Sequence, residues 1–240
     1  MFAGIIEADT DVDRHVNPND TVTVKVDIWS DIACPWCYIG KRRFEAGVQR
    51  YRDAGGTADI EVEYHSFELA PDTPVDFDGT EIDFLAGHKR MPREQVTAML
   101  AQVTQIAESE GLAYDFDVLK HTNTLKAHQV LHLAKKSGLQ VQLQERLFKA
   151  YFEEGRHLGR DEELADLAAE VGMDADEVRK VLAEDVYRSE VDADIALARD
   201  YGISGVPFFV VDSRYGVSGA QDPAVFEQVL TEASSGEESS

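Results

Sequence analysis

Cysteine is nearly absent from this chain: its 240 residues carry two, Cys34 and Cys37. A bridge between them would close too short a loop to restrict the unfolded chain, so no stabilising disulfide framework is available. Basic residues are also scarce, 9 Lys and 14 Arg against 46 Asp and Glu, for a formal net charge of −23. Phosphate binding needs a basic surface, so nucleic acid is excluded as a partner, and an anionic membrane surface with it. No apolar run of about 18 residues is present, so no segment reads as a membrane-spanning helix. The first residues, Met1 to Ile6, are briefly apolar without a basic flank, and Glu7, Asp9, Asp11 and Asp13 follow. That is not the pattern of a secretory signal, and the expected location is the cytoplasm.

Aromatic residues are plentiful, 11 Phe, 8 Tyr and 2 Trp, which separates the chain from acidic disordered sequences. The acid excess with little lysine suits a cytoplasm at molar salt, where screening over about 3 Å makes dense carboxylates tolerable. A halophilic protein of this kind is expected to melt at a markedly lower temperature in dilute buffer than in molar KCl. Equal melting temperatures in the two would remove that reading.

Residues 1–20 carry Asp, Asn and Pro without periodicity and read as an N-terminal extension. Thr21 to Trp29 alternates and is rich in β-branched residues, a strand; Ile60 to Phe67 repeats the pattern. Between them a helix is expected from Pro35 to about Asp53, stopped by Gly55-Gly56. Residues 71–79 read as loop, and from Pro92 to about Arg199 almost everything reads as helix. Strand character returns in a hairpin at Pro207 to Asp212 and Gly216 to Ser218. Asp222-Pro223 then opens a last helix to about Leu230. The expected division is a main domain from 21–75 and 190–231, a helical insertion over 76–189, and a disordered tail over 232–240. The strands on either side of the helices need each other to complete a sheet, hence an insertion within an α/β domain.

The two cysteines stand in SDIACPWCYIGKRRF, with Cys34 directly after a strand and at the start of a helix. Unpaired N–H groups of the first turn and the helix dipole favour a thiolate there. Pro35 fits the first turn because it has no N–H to lose, and Cys37 lies one turn deeper on the same face. Cys34 can therefore attack a disulfide and Cys37 can release the mixed disulfide. Lys41, Arg42 and Arg43 read as an exposed helix face. The competing reading, half of a zinc site, needs two more ligands, and there is no second cysteine pair and no H-E-x-x-H. His121, His128 and His132 read as helix histidines and His65 as structural, so no metal and no organic cofactor is expected. A non-catalytic binding module would have no use for an exposed dithiol. Late in the chain, a proline at the entrance to a strand in GISGVPFFVV is unusual.

CPWC after a strand, a helical insertion and GVPFF together resemble the thioredoxin superfamily in its DsbA-like branch, closest to the FrnE-like subgroup. The resemblance runs over about residues 23–231 and includes HSFELAPDTP, NTLKAHQVLHLAKKSG and AYFEEGRHLGRDEELADLA. It implies an α/β, thioredoxin-like fold with an all-helical insertion. It implies Cys34 as nucleophile, Cys37 as resolving thiol and Pro207 in cis. Val206 would lie beside the site, pairing with substrate as an added strand would; Pro35, Trp36 and Val206 would contact it. The partners implied are protein or small-molecule thiols and disulfides. The dipeptide Pro35-Trp36 departs from the Pro-His of DsbA proper, which removes a cation beside the thiolate and implies a less oxidising pair. The same architecture also resembles 2-hydroxychromene-2-carboxylate isomerase and kappa-class glutathione transferase, whose thiol-activating residue is a serine. There Asn123, Thr124 and His128 would be the residues to watch for a ligand, against a plain helix-capping role.

Overall fold

The computed structural model describes residues 22–235, so the 1–20 extension and the last five residues lie outside it. The chain runs β1 (Thr23–Ser30), α1 (Pro35–Asp53), β2 (Asp59–Ser66), then helices α2 (Glu81–Lys89), α3 (Arg93–Ser109), α4 (Leu125–Lys136), α5 (Gln140–Phe152), α6 (Asp161–Glu170), α7 (Ala175–Ala183) and α8 (Arg188–Asp200). It closes with β3 (Phe208–Val211), β4 (Tyr215–Ser218) and α9 (Pro223–Ser235). The strands form one sheet in the order β2-β1-β3-β4, with β1 and β2 parallel and the other pairs antiparallel. This is an α/β thioredoxin-like fold with a helical insertion between β2 and β3.

β1 is buried over most of its length, with Val24, Val26 and Ile28 on one side and Trp29 on the other. On one face α1 and α9 cover it, and Phe44, Phe209 and Phe226 interlock beneath them. The two helices meet at Gly47, where a Cβ would come within 2.5 Å of the Phe226 Cβ. On the other face Trp29 and Val210 pack against Ala198 and Ile203 at the end of α8. The helices of the insertion build a separate, larger core around Leu143, Leu147, Phe148 and Leu164.

One expectation fails here, and one helix lies where none was read. α9 does not stop near Leu230: it runs to Ser235, with Ala233 buried on the sheet side. The Thr231, Ser234 and Ser235 hydroxyls donate to carbonyls one turn back, so a polar composition does not end the helix. The stretch after the 71–79 loop holds α2 as a helix of its own, opened by a capping box between Thr80 and Asp83. No helix among the described residues is long and apolar enough to cross a membrane.

Candidate active site

Cys34 is the N-cap residue of α1, with extended backbone and no side-chain cap on the first turn. The turn before it is closed by the Cys34 N–H donating to Asp31 O at 3.0 Å. Cys37 N–H donates to Cys34 O at 3.0 Å, which brings the second thiol under the first. Both cysteines are free and buried. Trp36, between them, is 38% exposed and forms the rim. Burial and the neighbouring Cys34 push the Cys37 thiol well above its ordinary range, so it stays protonated.

The other wall comes from the far end of the chain. The Cys34 thiol donates to Val206 O at 3.6 Å, and the Val206–Pro207 peptide is cis. Pro207 in turn sits on α1: a Cβ on Gly40 would lie 2.8 Å from its Cγ. Glycine at 40 therefore sets how closely the helix carrying the thiols approaches the segment carrying Val206. From the insertion, the Tyr114 hydroxyl donates to Pro35 O at 2.7 Å. Dithiol, proline segment and insertion thus meet at one point.

A family model described as the DSBA-like thioredoxin domain matches residues 25–231. The chain belongs to that family. A structure from Streptomyces coelicolor described as a probable DsbA oxidoreductase is 42% identical, with 90% of this chain and 92% of that one covered at a TM-score of 0.82. The cytosolic disulfide reductase DsbM of Pseudomonas aeruginosa, solved with GSH, is 20% identical, covering 86% of this chain and 97% of that one at a TM-score of 0.60. A 2-hydroxychromene-2-carboxylate isomerase is 15% identical, covering 90% and 100% at a TM-score of 0.68. The last two are likenesses of fold.

The loop before the dithiol of this DsbA-like protein is held by residues that the motif does not show. Asp31 is fully buried and accepts from Leu69 N–H at 2.8 Å and Ala33 N–H at 3.3 Å. Burial alone would raise this carboxyl, but His128, the Leu69 N–H and Thr124 hold it below its usual range. His128 is buried, with Nε2 at 3.5 Å from Asp31 Oδ1, so it supports the loop before Cys34. Asn123 Oδ1 accepts from Leu125 N–H at 2.9 Å, and its amide donates to Pro71 O at 2.9 Å. That is the capping role, extended to tie down the 71–79 loop. His121 Nδ1 pairs with Glu81 Oε2 at 2.7 Å.

The basic run on α1 is not an exposed face. Lys41 is buried against Glu145 at 2.7 Å and also pairs with Glu45; Arg42 forks onto the same Glu145. Burial works to raise Glu145, but Arg42 and Lys41 bring it down to about 2. Arg43 bonds Glu110 at 2.6 Å and Ala220 O at 2.7 Å. These charges lock α1 to the insertion. The driving need is local: the buried Lys41 requires a carboxylate, and α5 presents one.

His65 lies away from the cysteines. Its ring stacks on Trp29 at 4.4 Å, and its two nitrogens bond Asp27 and Asp194 at 2.8 Å each. Asp27, Glu63 and His65 also form a close group of metal-ligating side chains, but Lys25 and Lys135 already neutralise its carboxylates. Neither cysteine belongs to that group.

Proposed function

We propose that the protein is a thiol–disulfide oxidoreductase that works by mixed-disulfide exchange at Cys34, resolved by Cys37. The observation that carries this is the meeting of a free dithiol at the start of α1 with the backbone of Val206. Cys34 stands at the start of α1, whose first turn has no side-chain cap, and its thiol reaches Val206 O. It attacks one sulfur of a bound disulfide, and the displaced thiolate leaves with a proton. Cys37, deeper and protonated until then, gives up its proton and attacks the Cys34 sulfur. The protein disulfide closes and the second thiol is released. Val206 offers its backbone edge to an extended segment of substrate, with Pro35 and Trp36 beside it. No metal or organic cofactor takes part in these steps.

The substrates are protein or small-molecule disulfides, and the place of work is the cytoplasm. Supporting the location are the acidic chain and a structural neighbour that is itself a cytosolic reductase. Two cysteines rather than a serine at the helix start favour redox exchange over glutathione-dependent isomerisation.

The direct test is trapping. Cys37→Ser should accumulate a mixed disulfide between Cys34 and its substrate, seen as adducts on non-reducing gels that vanish with dithiothreitol. Absence of adducts with oxidised insulin and with small disulfides alike would overturn the mechanism.

A further inference from the structure

β1 ends on a serine where its face toward α1 is otherwise apolar. Val24, Val26, Ile28 and Ser30 share that face by alternation, and the first three lie in the core beneath α1 and α9. Ser30 is 2% exposed, and its side-chain oxygen is sealed from solvent with no hydrogen-bond partner among the described residues. A buried hydroxyl left without a partner is destabilising, and an alanine or valine would fill this strand position without that penalty. The hydroxyl therefore calls for a use outside the resting fold.

Its neighbour is the deeper thiol. The Ser30 hydroxyl and the Asp31 N–H are the donors that favour a charged sulfur at Cys37, against burial and the nearby Cys34, which disfavour it. The remaining titratable groups around that sulfur offer it nothing. Tyr64 of β2 and Tyr114 of the insertion are both pushed up by burial and stay neutral. The Asp31 carboxylate is taken by the Leu69 and Ala33 N–H groups. Lys41, one turn further along α1, is committed to Glu45 and Glu145. A thiol is a weak donor and a weak acceptor, so Ser30 gains little from Cys37 while the proton is in place. A thiolate accepts a charge-assisted bond, so the same hydroxyl gains its partner when Cys37 gives up its proton to attack. An interaction made at that moment and not before accelerates the step.

Resting on the oxidoreductase reading, we propose that Ser30 serves the resolving half of the exchange: its hydroxyl donates to the Cys37 sulfur as that sulfur becomes the nucleophile, and it takes no part in the attack by Cys34. In this half-reaction the disulfide between Cys34 and the substrate breaks and the Cys34–Cys37 disulfide forms. The Cys37 proton ends on the substrate thiol that leaves, and Ser30 keeps its own.

The test is stopped-flow reaction of the reduced protein with 4,4′-dithiodipyridine, which releases one coloured thione when Cys34 attacks and a second when Cys37 resolves. The first phase scales with reagent concentration and the second does not, so the two steps are read separately. Ser30→Ala should leave the first phase within about twofold of the wild type and slow the second by about tenfold or more at pH 7, the worth of one charge-assisted hydrogen bond. The pH midpoint of the second phase should rise by about one unit. Ser30→Thr and Ser30→Val match in bulk and differ in the hydroxyl. The former should resolve at close to the wild-type rate and the latter as slowly as Ser30→Ala, and this pair carries the comparison if Ser30→Ala does not fold. An unchanged second phase in Ser30→Ala, both phases slowed alike, or equal second phases in Ser30→Thr and Ser30→Val would overturn the inference. Both thiones released by the wild type beside any of these results would leave the oxidoreductase reading standing. Release of one thione only would remove Cys37 from resolution and the inference with it, and release of none would remove the oxidoreductase reading itself.

Discussion

Cys34→Ser should leave a protein that folds as before and exchanges no disulfides. A serine hydroxyl does not attack a disulfide and forms no mixed disulfide for Cys37 to resolve, so insulin reduction should fall to the uncatalysed background, a loss of about a thousandfold or more. Stability should be retained, because position 34 is the N-cap of α1 and its first turn has no side-chain cap. Serine is among the best residues there, and its Oγ can accept from a first-turn N–H, a gain of about 0.5–1 kcal/mol. The variant therefore separates chemistry from folding. Activity that survives it, measured beside a denaturant melt showing a folded protein, would remove Cys34 from the mechanism.

Asp194→Ala should cost about 2–3 kcal/mol of folding stability, because it removes one of the two carboxylates bonded to the buried His65 ring and strands the Ser66 N–H. Asp194 accepts from Ser66 N–H at 2.7 Å and pairs with His65 at 2.8 Å and His132 at 3.2 Å, tying α8 to β2. His65 also faces Asp27 and Glu63, whose carboxylates are shared with Lys25 and Lys135. Burial opposes the charge on His65, but Asp194 and Asp27 raise it from 6.5 to about 9. The folded state thus holds a proton that the unfolded chain gives up earlier. The resulting stability, about 3 kcal/mol, is fully present below pH 6.5 and is lost as pH rises through about 9. For Asp194 burial raises the carboxyl, yet His132 and His65 depress it well below 3.8, so its share is present above that pH and lost in acid. Denaturant titrations in molar KCl at pH 6, 7.5 and 9 should show the wild type weakening and the variant, which keeps only the Asp27 and Glu63 side of the ring, weakening less. Parallel curves would mean that His65 is not held as a cation.

Much of this architecture is legible in the chain, and for physical reasons. α1 begins at a proline after a strand and ends before Gly55-Gly56, so both limits are written in residues with few conformational choices. The dithiol and Val206-Pro207-Phe208-Phe209 are local motifs and were found as such. α2 was hidden because it buries only Glu81, leaving no apolar period to detect; the capping pair Thr80 and Asp83 was its one signal. Asp31, Glu81 and Glu145 could not be told from other acids, since what distinguishes each is a partner 40 to 107 positions away or a buried loop. The Lys41-Arg42-Arg43 run looked like surface for the same reason: long-range pairing with Glu145 and Glu110 decides its burial.

Both thiols pack in the core that the insertion builds, not in the core of the sheet. Tyr38, on the turn after Cys37, stacks on Phe148 at 4.9 Å and Phe152 at 6.4 Å, and its hydroxyl donates to Glu145 at 2.7 Å. A minimal enzyme cannot therefore be made by splicing β2 to α8 and discarding what lies between. The four strands would keep their neighbours, but the redox helix would expose an aromatic face, Arg43 would lose its carboxylate partner Glu110, and Lys41 and Arg42 would be left to share Glu45. In this molecule the helices inserted between β2 and β3 form the packing around its reactive atoms, so a change on either side of that contact is felt by the thiols.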